Sequence, residues 1–185
     1  DFNYLSYNEC IKSFDEIILS DVNKTYREWL KRKKEEIVRR IECVNLPKTL
    51  IHGDIFYDNI IFNNEDEPII IDFEESCYYY RVFDIGMCLI GTCRDAEIIN
   101  KEKARSLIQG YLREGLLVSD EIRNIKTFTE YAAIATSFWR FRQYNIIHGN
   151  IADKRYEEMV RIAKNIHQIS NKEFLESINL HNLYR

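Results

Sequence analysis

At 185 residues, 45% of them hydrophobic and 13% aromatic, the chain has the size and apolar content for one buried core, which excludes a disordered chain. Its 26 basic and 30 acidic residues leave a net charge of −4, so nothing draws it generally to nucleic acid or to an anionic membrane. No apolar run nears the ~20 residues that span a bilayer, and five cysteines without a Cys-x-x-Cys pair read as reduced structural thiols of a cytoplasmic protein.

Only six Gly and two Pro favour long uninterrupted helices. Residues 1–21, with Phe14, Ile17 and Ile18 on one face, predict a short amphipathic helix. Ser20-Asp21 offers an N-cap for a second helix over 22–43, where Tyr26, Trp29, Leu30, Ile37, Val38 and Ile41 recur at helical spacing. The mixed charges Arg32-Lys33-Lys34 and Glu35-Glu36 along it read as a solvated face. Asn45-Leu46-Pro47 ends the helix. Two β-branched or aromatic runs follow, 60–62 and 69–71, too brief for helices and separated by a polar turn over 63–68. They predict a β-hairpin.

The chemistry lies at one end of that hairpin. Asp54 and Asn59 enter its first strand as Asp-x-x-x-x-Asn, and Asp72, thirteen residues after Asn59, leaves its second. Phosphoryl transfer needs a carboxylate that accepts the proton of the attacking hydroxyl, and oxygen ligands for a divalent metal on the phosphates. The spacing therefore predicts Asp54 as the catalytic base and Asn59 and Asp72 as magnesium ligands, with His52 supporting the loop. The set matches the catalytic-loop and metal-loop logic of protein kinases with two departures: Gly53 stands for the usual Arg, and Glu74 for the Gly of Asp-Phe-Gly.

Beyond Asp72, residues 78–81 predict an irregular aromatic stretch in which Tyr79 suits core packing and ligand contact equally. Asp84 opens a helix over 85–93 that its carboxylate is able to cap. A helix over 101–114 carries Ala104, Leu107, Ile108 and Tyr111 on one face and stops at Gly115. The longest helix runs from Ser119 to about residue 145, and apolar residues nearly encircle it, so it should be central and buried. Arg140, Arg142 and Gln143 near its end need partners or water. Arg140 has a second reading, as the holder of a substrate carboxylate. A helix over 153–169 and a segment around Phe174, Leu175 and Ile178 complete a mostly α chain with one small hairpin. His148, His167 and His181 lack paired ligand spacing and read as surface residues.

The run His52-Gly53-Asp54-Ile55-Phe56-Tyr57-Asp58-Asn59, followed by Ile71-Asp72-Phe73-Glu74, resembles the aminoglycoside phosphotransferase and choline kinase superfamily of small-molecule kinases. Residues 52–62 and 132–141 look most like homoserine kinases of the protein-kinase-like type. Asp72-Phe73-Glu74 and Tyr80-Arg81-Val82-Phe83-Asp84-Ile85-Gly86 also resemble choline and ethanolamine kinases. The resemblance implies that 1–185 form the helical C-terminal catalytic lobe of a protein-kinase-like α+β fold. It implies ATP and Mg2+ as cofactors, and phosphorylation of a small metabolite's hydroxyl: homoserine or a related amino alcohol, with choline, ethanolamine or an aminoglycoside as alternatives. It implies further that Asp84 braces the catalytic loop through backbone amides, and that Tyr57, Glu74, Glu75, Tyr79, Trp139 and Arg140 are substrate contacts. No Gly-x-Gly occurs and nothing before Leu50 reads as a five-stranded sheet, so the nucleotide-binding N-terminal lobe is expected to lie outside this chain, a fragment or processed piece inactive by itself. The competing class is a non-catalytic kinase-like binding domain. The plainest alternative is a helical interaction module whose Asp and Asn residues only form turns.

Overall fold

A computed structural model describes residues 7–183 as helices joined by short antiparallel ribbons. The first helix, α1, covers Tyr7–Ile18; residues 1–6 of its predicted span and the side chain of Cys10 lie outside what is described. Helix α2 covers Lys24–Ile41 and buries Tyr26, Trp29, Leu30, Ile37 and Ile41 at the expected spacing. Its cap is Asn23, not Ser20-Asp21. The Asn23 side chain accepts from Tyr26 N at 3.0 Å, and Asn tolerates the left-handed backbone (φ 43°, ψ 78°) that the turn requires there.

Four strands follow: β1 (Lys48–Ile51), β2 (Ile60–Phe62), β3 (Pro68–Ile70) and β4 (Cys77–Tyr80). The predicted hairpin is β2–β3, with Ile60 opposite Ile70 and Phe62 opposite Pro68. The stretch over 78–81, expected to be irregular, begins as a strand. β4 pairs antiparallel with β1, Lys48 opposite Tyr80 and Ile51 opposite Cys77. Strand alternation explains the burial there: Tyr78 is exposed, while Tyr79 turns inward edge-on to Phe83 at 5.5 Å.

Helix α3 (Arg81–Thr92) starts a turn earlier than the sequence suggested. The Arg81 guanidinium forks onto the fully buried Glu121, Nε to Oε1 and Nη2 to Oε2 both at 2.7 Å, tying the start of α3 to the start of α5. A two-residue ribbon, β5 (Arg94–Asp95) with β6 (Ile98–Ile99), leads to α4 (Lys101–Glu114), capped by Asn100. Helix α5 (Ser119–Arg140) is the central element, packed between α3 and α6 (Arg155–Gln168), and every residue from 128 to 138 is buried. The winding loosens after Arg140 into a π-helical segment, Phe141–Ile147, where an α-helix to about residue 145 was expected. Neither Gly nor Pro between Ser119 and His148 marks that change. Helix α7 (Asn171–Ser177) closes on α5 behind a Ser170–Glu173 capping box. Among the described residues no helix is long and apolar enough to cross a membrane.

One charge cluster corrects the reading of α2 as solvated. Lys33 is buried, and its Nζ lies 2.9 Å from Oε1 of the fully buried Glu130 on α5 and 2.7 Å from Glu36. Arg40 reaches the second Glu130 oxygen at 3.1 Å. His167 of α6 meets Oε1 at 2.9 Å, so it is more than a surface residue. Glu36, Glu130 and His167 offer ligand atoms within 4.8 Å of one another, but the Lys33 ammonium already supplies the cation that such a set demands. Burying a carboxylate is tolerable only with such partners. Lys33→Met should therefore cost about 3 kcal/mol or more in urea unfolding, and the double variant Lys33→Met/Glu130→Leu should recover most of it. A loss under about 1 kcal/mol in the single variant would mean that Arg40 compensates Glu130 without Lys33.

Candidate active site

Two loops are enclosed between the ribbons, residues 52–59 from β1 to β2 and residues 71–76 from β3 to β4. Because β1 pairs with β4 and β2 with β3, the loops must face each other, like the two sides of a bubble opened in one long hairpin. Hydrogen bonds cross the bubble. Ile71 N donates to Asn59 O at 3.0 Å, and the His52 ring Nε2 lies 2.9 Å from Ile71 O. The other ring nitrogen, Nδ1, accepts from Asp54 N at 3.2 Å, which assigns the proton to Nε2 and leaves His52 a neutral strut with both nitrogens engaged.

Helix α3 holds this loop from beneath. Asp84 accepts from His52 N and from Gly53 N, each at 2.9 Å, and so does not cap its own helix. Burial raises the Asp84 pKa, and the two amide donors oppose that rise. Gly53 has φ 86°, a left-handed conformation that a side chain would strain. Gly91 meets the loop at closer range still: a Cβ there would lie 2.2 Å from Ile55 O, so only glycine lets helix and loop touch.

Asp54 and Asn59 form one hydrogen-bonded unit. Asn59 Nδ2 donates to Asp54 Oδ2 at 3.1 Å and to Asp54 O at 2.9 Å. Burial raises the Asp54 pKa, the Asn59 hydrogen bond lowers it, and the neighbouring charges of Asp58 and Asp72 raise it again, for a net rise. Asp72, exposed, sits across the bubble at φ 65°, ψ 66°.

An open cleft of about 410 Å³ adjoins this unit. Its acidic side is Asp54, Asp58, Glu74 and Glu75 from the two loops. Its other side is Trp139 and Arg140 at the end of α5, Tyr144 from the π segment, and Arg155 and Glu158 from α6. Of the expected substrate contacts, Glu74, Glu75, Trp139 and Arg140 line it. Tyr57 is outside its lining, 71% exposed, and Tyr79 belongs to the core. Arg140 is engaged: its Nη1 meets Glu158 Oε2 at 2.7 Å and Arg155 O at 3.2 Å. Arg94 takes the other Glu158 oxygen at 2.7 Å. Burial pushes the Glu158 pKa up, and the two arginine hydrogen bonds outweigh it, so the carboxyl stays below its ordinary range. Asp58, Tyr144 and Arg155 were not anticipated. A π-helical segment has no periodicity signature that would have placed the last two beside the loops.

Residues 17–121, more than half the chain, match the phosphotransferase enzyme family, APH. Over 128 residues the chain is 30% identical to the homoserine kinase of Rhodopseudomonas palustris (strain TIE-1), covering 66% of this chain and 39% of that protein. It is 32% identical over 100 residues to the homoserine kinase of Bradyrhizobium sp. (strain BTAi1), covering 54% of this chain and 31% of that one. The chain thus spans well under two thirds of the curated relatives it matches. Among solved structures it resembles a choline/ethanolamine kinase family protein from Mesorhizobium loti, with TM-score 0.64 and 14% identity over 94% of this chain and 56% of that one. It also resembles an amicoumacin kinase in complex with AMP-PNP, Ca2+ and Ami, with TM-score 0.65 and 15% identity over 91% and 53%. At such identities the likeness is one of fold, the helical C-terminal lobe of the protein-kinase-like architecture.

Glu75 carries the largest perturbation in the cleft. Its Oε2 has no hydrogen-bond partner among the described residues. Burial first, then the charges of Asp54, Glu74 and Asp72, push its pKa up to about 7. The folded pKa therefore exceeds the ordinary value of 4.5, so the folded state holds the extra proton and stability falls as pH rises between those limits. Glu75→Gln removes that dependence. In thermal unfolding at about pH 8 the variant should melt above wild type, and at about pH 5 the gap should close. An identical gap at both pH values would mean that Glu75 titrates normally.

Proposed function

The chain belongs to the phosphotransferase enzyme family, and on that premise we propose that it is the catalytic lobe of an ATP-dependent kinase acting on the hydroxyl of a small amino alcohol, homoserine first. The carrying observation is the unit of Asp54 and Asn59, held by Asp84 and His52 against the loop that bears Asp72. Asp54 orients the acceptor hydroxyl and takes its proton as the oxygen attacks. A raised pKa strengthens it as a base while the carboxylate remains the working form. His52 is a strut, both of its nitrogens being occupied.

Asn59 and Asp72 are the magnesium ligands in this scheme. The donor set fits a hard cation, an amide and a carboxylate oxygen with no sulfur or imidazole between them. Asn59 uses its amide hydrogens on Asp54, which leaves Oδ1 without a protein partner among the described residues. When bound, the magnesium nucleotide supplies the phosphoryl group and the charge that neutralises it. The residues that cover the nucleotide come from a lobe outside this chain, a proposal supported by the exposed Leu50, Phe62, Ile70, Phe73 and Tyr78 around the bubble.

The acceptor follows from the mixed charge of the cleft. An acidic side and an arginine side suit a molecule with both an amine and a carboxylate, and homoserine is the substrate named for the relatives at 30–32% identity. Choline or ethanolamine is the second reading, favoured by Trp139 and Tyr144 lining the same cleft as the carboxylates. In protein that includes the nucleotide lobe, Asp54→Ala should lower turnover about 10²- to 10⁴-fold without lowering the melting temperature, measured by coupled ADP release over a panel of alcohols. Near-normal turnover in that variant rules out Asp54 as the base. Calorimetry that finds no magnesium-dependent nucleotide binding by the wild type favours a non-catalytic domain.

A further inference from the structure

We propose that Arg155 holds the carboxylate of the acceptor and Glu75 its ammonium, a specificity pair contributed by opposite sides of the cleft. The inference rests on the phosphotransfer reading above and adds the side chains that fix the substrate's two charges.

Arg140 is the arginine that position along the chain suggests, but its guanidinium is already committed. Glu158 and the Arg155 carbonyl hold it, and Glu158 is shared with Arg94. Recruiting Arg140 would break a half-buried ion pair and leave Glu158 with one partner. Arg155 is differently placed. Its Nε meets Asp153 Oδ2 at 3.2 Å, and its guanidinium lies over the Tyr144 ring at 3.9 Å from the centroid. Its two terminal nitrogens have no protein partner among the described residues, and the side chain is 60% exposed at the cleft. The ring contact and the Asp153 bond hold the guanidinium at the cleft, and its two unpaired terminal nitrogens form the edge that a carboxylate binds bidentately.

On the acidic side the assignment goes by elimination. Asp54 bonds Asn59 and is assigned to the hydroxyl, while Glu74 and Asp58 are exposed to water. Glu75 is half-buried and has a carboxylate oxygen that no protein donor satisfies. A buried acceptor without a donor is costly, and an ammonium supplies donors and opposite charge together.

Three acceptors with the same hydroxyl chain separate the two charges: homoserine, 3-aminopropan-1-ol, which lacks the carboxylate, and 4-hydroxybutanoate, which lacks the amine. The measurement is kcat/KM for each in protein that includes the nucleotide lobe. Arg155→Met should shrink the preference for homoserine over 3-aminopropan-1-ol by about ten- to a hundredfold, and Glu75→Gln should shrink the preference over 4-hydroxybutanoate by a similar factor. Each ratio is internal to one variant, so partial misfolding cancels. Arg155→Gln, which keeps a planar group over Tyr144, repeats the test if the Met variant does not fold. Wild-type turnover of homoserine with both ratios unmoved in the variants overturns the pair and spares the phosphotransfer reading. Turnover of none of the three by a wild type that phosphorylates choline or ethanolamine overturns the pair alone, and turnover of no alcohol overturns both.

Discussion

Everything near the cleft depends on keeping two loops open against each other without letting them collapse or drift apart. The ribbons at either end fix where the loops begin, and His52 fixes their separation by bridging Asp54 N to Ile71 O. Each such bond contributes only about 1 kcal/mol net. Their value lies in geometry, because Asp54, Asn59 and the residue before Asp72 all join one connected network. Asp84 completes it by holding two consecutive amides of the loop on one carboxylate. Bonds to a charged acceptor are about twice as strong as neutral ones.

The helical core serves that network more than it competes with it. Helix α3 carries Asp84 at its first turn and Gly91 at its last, so one rigid element touches the loop at both ends. It is anchored in turn by the Arg81–Glu121 fork to α5, and α5 by the Glu130 cluster to α2 and α6. The cost of the arrangement falls in the cleft itself. Asp54, Asp58, Glu74 and Glu75 crowd like charge where burial already disfavours ionisation, which lifts the pKa values of Asp54 and Glu75 together. Such crowding of partly buried like charge is destabilising by itself.

Much of this was legible in the sequence, and what was not shares a cause. The hairpin over 60–70 and the helices α2, α4, α5 and α6 announce themselves through local periodicity, and α4 ends at Gly115 as the sequence predicts. That the loop of Asp54 and Asn59 faces the loop of Asp72 is legible because both leave the same short hairpin. Hidden were the features set by partners distant along the chain. The strand at Tyr78 to Tyr80 exists only through its pairing with residues 48–51, and that pairing alone decides that Tyr79 faces the core. Lys33 looks solvated until α5 brings Glu130 against it. Arg155 lies past a π-helical segment whose geometry no spacing rule describes.

The exposed apolar rim extends the same logic. Ribbons of three and four residue pairs are marginal by themselves, and those around the bubble show Leu50, Phe62, Ile70 and Tyr78 to water instead of burying them. Scattered apolar residues on a surface need no explanation, but here they gather on one pair of ribbons beside the carboxylates assigned to chemistry. The loops thus present crowded carboxylates with an apolar collar on the ribbons beside them. Covering that collar would also exclude water from Asp54 and Glu75, raising their pKa values further by burial while the arriving cation lowers them. Burial and a nearby cation therefore act on these two carboxyls in opposite directions.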